Sequence, residues 1–177
     1  MEKAVILIDG GYFNRILKNY FNKIQIDYLK LSEEIMSVLG VKRLRTYLYH
    51  CLPIIRNGNK DDERRHNSMQ QFLTKIKRLP RFEVKLGRLQ LIAGQFKQKM
   101  VDVLISIDII KKSILSDVRH IVLIAGDADF VPAIKTAKDS NVIFHLFYHP
   151  FSVHNELLDE IDELHEISDS LINKCKK

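Results

Sequence analysis

Four aspartates, Asp9, Asp102, Asp127 and Asp129, fall where segments of regular structure are expected to end or begin. Carboxylates delivered to one edge in this way could hold a hard cation. Asp9 closes the apolar run Ala-Val-Ile-Leu-Ile (4–8) and precedes Gly10-Gly11, while Asp127 and Asp129 belong to the Gly-Asp-Ala-Asp turn after a second apolar run, Ile121 to Ala125. Asp102 lies in the first turn of a helix expected to begin near Met100. Crowded carboxylates raise one another's pKa, so such a cluster is favourable only around a cation. Oxygen donors without His or Cys beside them select magnesium or manganese rather than zinc. Each residue also has a simpler role: Asp129 as a helix N-cap, Asp9 as a turn former, Asp102 as a partner of the helix dipole. The coincidence of all four at element ends carries the metal reading. Asp108, six residues after Asp102, lies about 120° round the helix and belongs outside the ligand set, in a supporting or structural role.

The elements that must position these acids are legible in the hydrophobic pattern. A β-branched run closed by glycines reads as a buried parallel strand, which puts Asp9 at its carboxyl end. Helices are expected over about 12–21 and 28–39, the second stopped by Gly40. A strand over 43–50, a loop over 51–60 and a basic helix over 62–78 follow, then one bent strand or a hairpin over 82–92. Further on come a helix over 101–115, a strand over 119–125, a helix over 130–140 and a strand over 142–148. The last element is expected to be an amphipathic helix over about 152–172, with Leu157, Ile161, Leu164 and Leu171 on one stripe packing on the core. Strands alternating with helices imply a three-layer α/β domain, its mostly parallel central sheet covered by helices on both faces. The whole chain, 1–177, reads as a single domain. In such sheets, sites form beyond the carboxyl ends of the strands.

Composition narrows the partners. The chain is 46% apolar with a net charge of +6. From Lys42 to Lys99, 15 Lys and Arg stand against 4 acids, a balance of +11, whereas from Pro150 onward 7 acids face 3 lysines. A basic middle favours a polyanion, through phosphate neutralisation and counterion release. The apolar runs are too short to span a bilayer and no signal-peptide pattern is visible, so a cytoplasmic protein without a membrane partner is expected. Cys51 and Cys175 have no metal or disulfide spacing and read as free thiols. The seven histidines show no compact ligand spacing and read as surface or structural residues.

Three ordered blocks, Val-Ile-Leu-Ile-Asp-Gly-Gly-Tyr-Phe (5–13), Lys-Met-Val-Asp-Val-Leu-Ile-Ser-Ile-Asp (99–108) and Ile-Ala-Gly-Asp-Ala-Asp-Phe-Val-Pro (124–132), together resemble the NYN family of PIN-like, LabA-type nucleases. The resemblance spans nearly the whole chain. It implies a PIN-like fold and magnesium or manganese held by Asp9, Asp102, Asp127 and Asp129, which would then be the catalytic residues of a metal-dependent nuclease, most simply an endoribonuclease. RNA, single-stranded or structured, would be the partner, and the chain's own oligomeric state stays open. Tyr12 stands where many members have Asn, with Asn14 one position from which an amide could substitute, and Ala125 stands where a serine often precedes Gly-Asp.

Candidate contacts to the nucleic acid are Lys99, beside Asp102, with Lys97, Arg88, Arg15, Asn14 and Tyr12. Arg56, Lys60, Arg64, Arg65, Arg78, Arg81 and Lys85 could guide the backbone, with Tyr47 or Phe96 available for stacking. Two other readings compete. A phosphatase of the haloacid-dehalogenase type needs a second Asp two residues after the first, where this chain has Gly11. A binding or assembly module could keep the fold without turnover, as Tyr12 and the basic middle would allow.

Overall fold

In the computed structural model of the chain, residues 1–92 and 95–177 are described, with the side chains of 89–99 left aside. The strands are β1 (Lys3–Asp9), β2 (Lys42–Cys51), β3 (Phe82–Ile92), β4 (Gln95–Lys99), β5 (His120–Ile124), β6 (Ile143–Tyr148) and β7 (Glu163–Glu166). The helices are α1 (Gly10–Tyr20), α2 (Tyr28–Leu39), α3 (Lys60–Lys77), α4 (Val101–Ser113), α5 (Val131–Lys138), α6 (Asn155–Asp159) and α7 (Asp169–Lys174). One sheet runs in the order β4-β3-β2-β1-β5-β6-β7. Six strands, β3 through β7 in that order, are parallel, and only β4 is antiparallel to its neighbour.

The apolar strand β1 sits at the centre because its side chains from Ala4 to Ile8 are fully buried and can be covered only from both faces. Its alternate residues divide the core in two. Ala4, Ile6 and Ile8 pack with Phe13, Ile16, Leu31 and Ile35 of α1 and α2. Val5 and Leu7 pack with Ile105, Ile109 and Ile134 of α4 and α5. The expected three layers are therefore present.

Of the two alternatives expected for 82–92 the single strand holds, and one later region differs from the sequence pattern. The stretch 82–92 is one strand, and the hairpin forms between it and 95–99, so Lys97 and Lys99 lie on β4. The expected helix over 152–172 is instead α6, β7 and α7. Its stripe is broken: Leu157 is buried, but Leu164 is 46% exposed on β7. The physical reason is the open edge of β6. The Phe144 N–H donates to the Asp162 carboxylate at 2.8 Å, and the Ile167 N–H donates to the Tyr148 carbonyl at 2.7 Å. Residues 163–166 thus satisfy strand-edge groups that a helix would leave unpaired.

Candidate metal centre and nucleic-acid face

The parallel register brings the first and third blocks together. Ile8 pairs with Ile124, so Asp9 lies level with Ala125 and just short of the Gly126-Asp127 turn. Asp9 ends β1 and caps α1, its Oδ1 accepting from the Tyr12 N–H at 3.0 Å. Gly10 lets that turn close: a Cβ there would collide with the His50 ring and the Tyr49 carbonyl. Gly126 is equally constrained, by the Ser152 carbonyl and the Tyr12 ring. Asp127 caps a 3-10 turn over Ala128–Phe130 by accepting from the Asp129 N–H at 3.1 Å. The cap is therefore Asp127, and Asp129 is left exposed at the rim rather than acting as the expected N-cap.

Asp102 arrives by a different route. The last residues of β3, from Arg88 onward, run past the end of β2, and β4 returns along them until Lys99 lies opposite Arg88. Met100 then turns the chain into α4 with a left-handed backbone, φ 80°, which places Asp102 in the first helical turn. A non-glycine residue in this region is strained, and such strain collects at sites the surrounding structure must fix.

The electrostatics join the four acids. The carboxyl of Asp102 is pushed up to about 6, first by burial and then by the negative charges of Asp9, Asp127 and Asp129. Asp9 is also raised, by burial, although N–H donation from Tyr12 and Gly11 and the charges of Arg15 and His50 act the other way. A half-buried carboxyl facing three others is an oxygen donor set short of positive charge. These residues fit a divalent cation. Among the described residues the tightest set of three potential ligands, with donor atoms within 4.8 Å, lies elsewhere, at His145, Glu163 and His165. The aspartates are more openly spaced, which suits magnesium or manganese keeping part of its water shell.

Asp108 lies outside this group, as its helical angle implies. It is buried and accepts from the Tyr49 hydroxyl and the Lys85 ammonium, both at 2.5 Å. Its charge is compensated where that of Asp102 is not.

Several expected nucleic-acid contacts are spoken for. Tyr12 is 2% exposed, packs in the core and accepts from the His149 N–H at 3.0 Å through its hydroxyl, so it offers no stacking surface. Tyr47 is buried beneath the ammonium groups of Lys85 and Lys112. Arg56 forms a two-point ion pair with Asp62, Arg81 holds the Arg43 carbonyl, and Lys85 is tied to Asp108. These three are scaffold residues. Arg15 is exposed, reaches over the Tyr12 ring and shares a cleft with Asp127, Ser152 and His154. Asn14 directs its amide to His50 Nε2 at 3.1 Å and stands at the end of a groove with Arg64, Arg65, Lys75 and Lys177. Lys60, Arg78 and Arg88 are exposed, while the side chains of Phe96, Lys97 and Lys99 lie outside the described residues. His50, read from sequence as structural, is a neighbour of Asp9 that burial keeps below its ordinary pKa.

The fold is a parallel α/β sheet with an acid cluster, drawn from strand ends and a helix start, beyond its carboxyl edge. Residues 3–169 match the NYN domain family, and the chain belongs to it. That is a family of nuclease type. None of the curated proteins matches the chain. A crystal structure of a protein of unknown function from Vibrio parahaemolyticus has the same fold, with a TM-score of 0.66 and 23% identity over 95% of this chain and 94% of the other. No helix among the described residues is long and apolar enough to cross a membrane.

Proposed function

We propose that the chain is a magnesium- or manganese-dependent nuclease that hydrolyses RNA phosphodiesters, acting within the strand as an endoribonuclease. The observation that carries this reading is the half-buried Asp102 carboxyl, raised to about 6 by burial and by Asp9, Asp127 and Asp129. Membership in the NYN family supports it. Asp9, Asp102 and Asp127 would hold the ion, with Asp129 at the rim as a further ligand or as a base acting through water. A bound divalent ion supplies activation of water and neutralisation of charge at the phosphate. The protein's own part is to bring the carboxylates together, at the electrostatic cost that a bound cation would relieve, and to orient the strand. The exposed Arg15 and Arg88 would bind phosphate oxygens, and the groove bearing Arg65, Lys75 and Lys177 would offer the backbone a basic track.

Binding without turnover is the second reading, and one observation favours it. Tyr12 turns into the core, and the Asn14 amide is spent on His50, so neither side chain supplies an orienting amide to the acids. Labelled single-stranded RNA, structured RNA and DNA, incubated with manganese, magnesium or chelator, distinguish the two. Cleavage of RNA with either metal is expected, falling by a factor on the order of 100 or more in Asp102→Asn. Binding without cleavage in every condition would sink the nuclease reading and leave the binding module.

A further inference from the structure

Three histidines that the sequence leaves scattered form a line across the far side of the sheet. His120 is the first residue of β5, His145 the third of β6 and His165 the third of β7, and the register sets Val122 beside His145 and His145 beside Glu163. His120 Nδ1 lies 2.9 Å from His145 Nε2, and His120 Nε2 lies 2.8 Å from the Glu2 carboxylate. At the other end, His145 Nδ1, Glu163 Oε2 and His165 Nε2 converge. Their separations are 3.1 Å from His145 to Glu163, 3.4 Å from His145 to His165 and 3.7 Å from His165 to Glu163.

We propose that His145, His165 and Glu163 form a zinc site, separate from the aspartate cluster, with His120 and Glu2 orienting the His145 ring. Ligand chemistry is the first reason: two imidazoles and a carboxylate are a zinc donor set, with a fourth position left for water. Spacing is the second. Ligands about 2.0–2.1 Å from a tetrahedral ion are about 3.3–3.4 Å apart, whereas the same bonds at right angles bring them to about 2.9 Å. The three observed separations centre on the tetrahedral value.

Proton bookkeeping is the third reason. With His145 Nδ1 left as a lone pair, its Nε2–H donates to His120 Nδ1, and the His120 Nε2–H donates to Glu2. Both ring nitrogens of His120 and of His145 then have a partner, and the carboxylate at the end of this relay raises the basicity of the ligand, as in other carboxylate-histidine-metal arrangements. Charge agrees as well: Glu163 gives the ligand set one formal negative charge, while Glu2, behind His120, is itself 3.8 Å from the Arg119 guanidinium. His145 is 3% exposed, which fixes its ring, while the half-exposed Glu163 opens the site to ions from solvent. A bound ion would tie the edge strand β7 to β6.

The test uses the full chain, stripped with chelator and dialysed, and titrated calorimetrically with zinc chloride in the wild type and in variants. Binding of about one equivalent is expected in Asp102→Asn as in the wild type, weakened about tenfold or more in Glu163→Gln and in His165→Gln. Glu2→Gln should weaken it by about tenfold through the His120 chain. Cobalt in place of zinc should give the strong visible absorption of a tetrahedral site, and zinc should raise the melting temperature of the wild type but not of Glu163→Gln. His165 and Glu163 sit on an edge strand and are partly exposed, and circular dichroism in chelator checks that their variants fold. Zinc affinity unchanged in both variants, loss of binding only in Asp102→Asn, or a weak octahedral cobalt spectrum would each overturn the proposal.

Discussion

At the carboxyl edge of the sheet the ionisable groups are carboxylates with few donors between them, while across β5, β6 and β7 they are imidazoles linked in a chain that ends on carboxylates. The same backbone supports both, so the difference lies in what each edge can supply. Strand ends and helix starts offer N–H donors and solvent, which lower the cost of gathering aspartates there but leave them repelling one another. The interior of the sheet offers neither, and there His120 and His145 are paired instead with each other and with Glu2. An open set of oxygens suits a hard ion that keeps its water, and a close set of imidazoles suits a tetrahedral ion that sheds it.

A carboxylate that has found its partners sharpens the contrast. Asp108 is as buried as His145 but is held by Tyr49 and Lys85, the latter 25% exposed. Removing the ammonium in Lys85→Met leaves a buried charge with the Tyr49 hydroxyl alone. We expect a loss of about 3 kcal/mol in urea unfolding. A loss close to that of a surface pair, under about 1 kcal/mol, would mean that the Lys85–Asp108 contact contributes no more than an exposed ion pair.

Asp102 should behave in the opposite sense. Its carboxyl is higher in the folded chain than in the unfolded one, so the native state holds the extra proton between about pH 4 and 6, and stability falls as pH rises through that window. Above it, the ionised group is a constant cost in metal-free protein. Asp102→Asn should therefore raise stability in chelator at pH 7.5 by about 1 kcal/mol, after allowance for solvent screening of a half-exposed group, and this gain should disappear below about pH 4. Manganese should stabilise the wild type more than the variant. A destabilised Asp102→Asn, measured by thermal unfolding with and without the ion, would break the picture of an uncompensated cluster.

The smallest effect is expected at the basic rim. Arg88→Ala should weaken RNA binding by a few fold at low salt, and reduce the slope of log affinity against log salt by about one charge. An unchanged slope would remove Arg88 from the phosphate path.

The strands and helices of the first two thirds of the chain were legible because their apolar runs match the period of the element they form. Gly10, Gly40 and the turn at Gly126 mark where those elements stop. The helix expected over 152–172 failed because a helical stripe counts side chains only, and the deciding partners were the backbone groups on the open edge of β6, which no local pattern records.

At the site, the sequence by itself determined that Asp9, Asp102 and Asp127 are delivered by separate element ends, and that Asp108 turns away from them. It could not tell Tyr12 from a surface aromatic, since its burial depends on Gly126 and the His149 backbone, more than a hundred residues on. Nor could it tell Arg56 and Lys85 from free cations, because their acids are found only in space. The histidine line was invisible for the same reason. His120, His145 and His165 are 25 and 20 residues apart in the chain and hydrogen-bonding distance apart in the fold, because parallel register, which only the assembled sheet sets, aligns three strands that local sequence treats as unrelated.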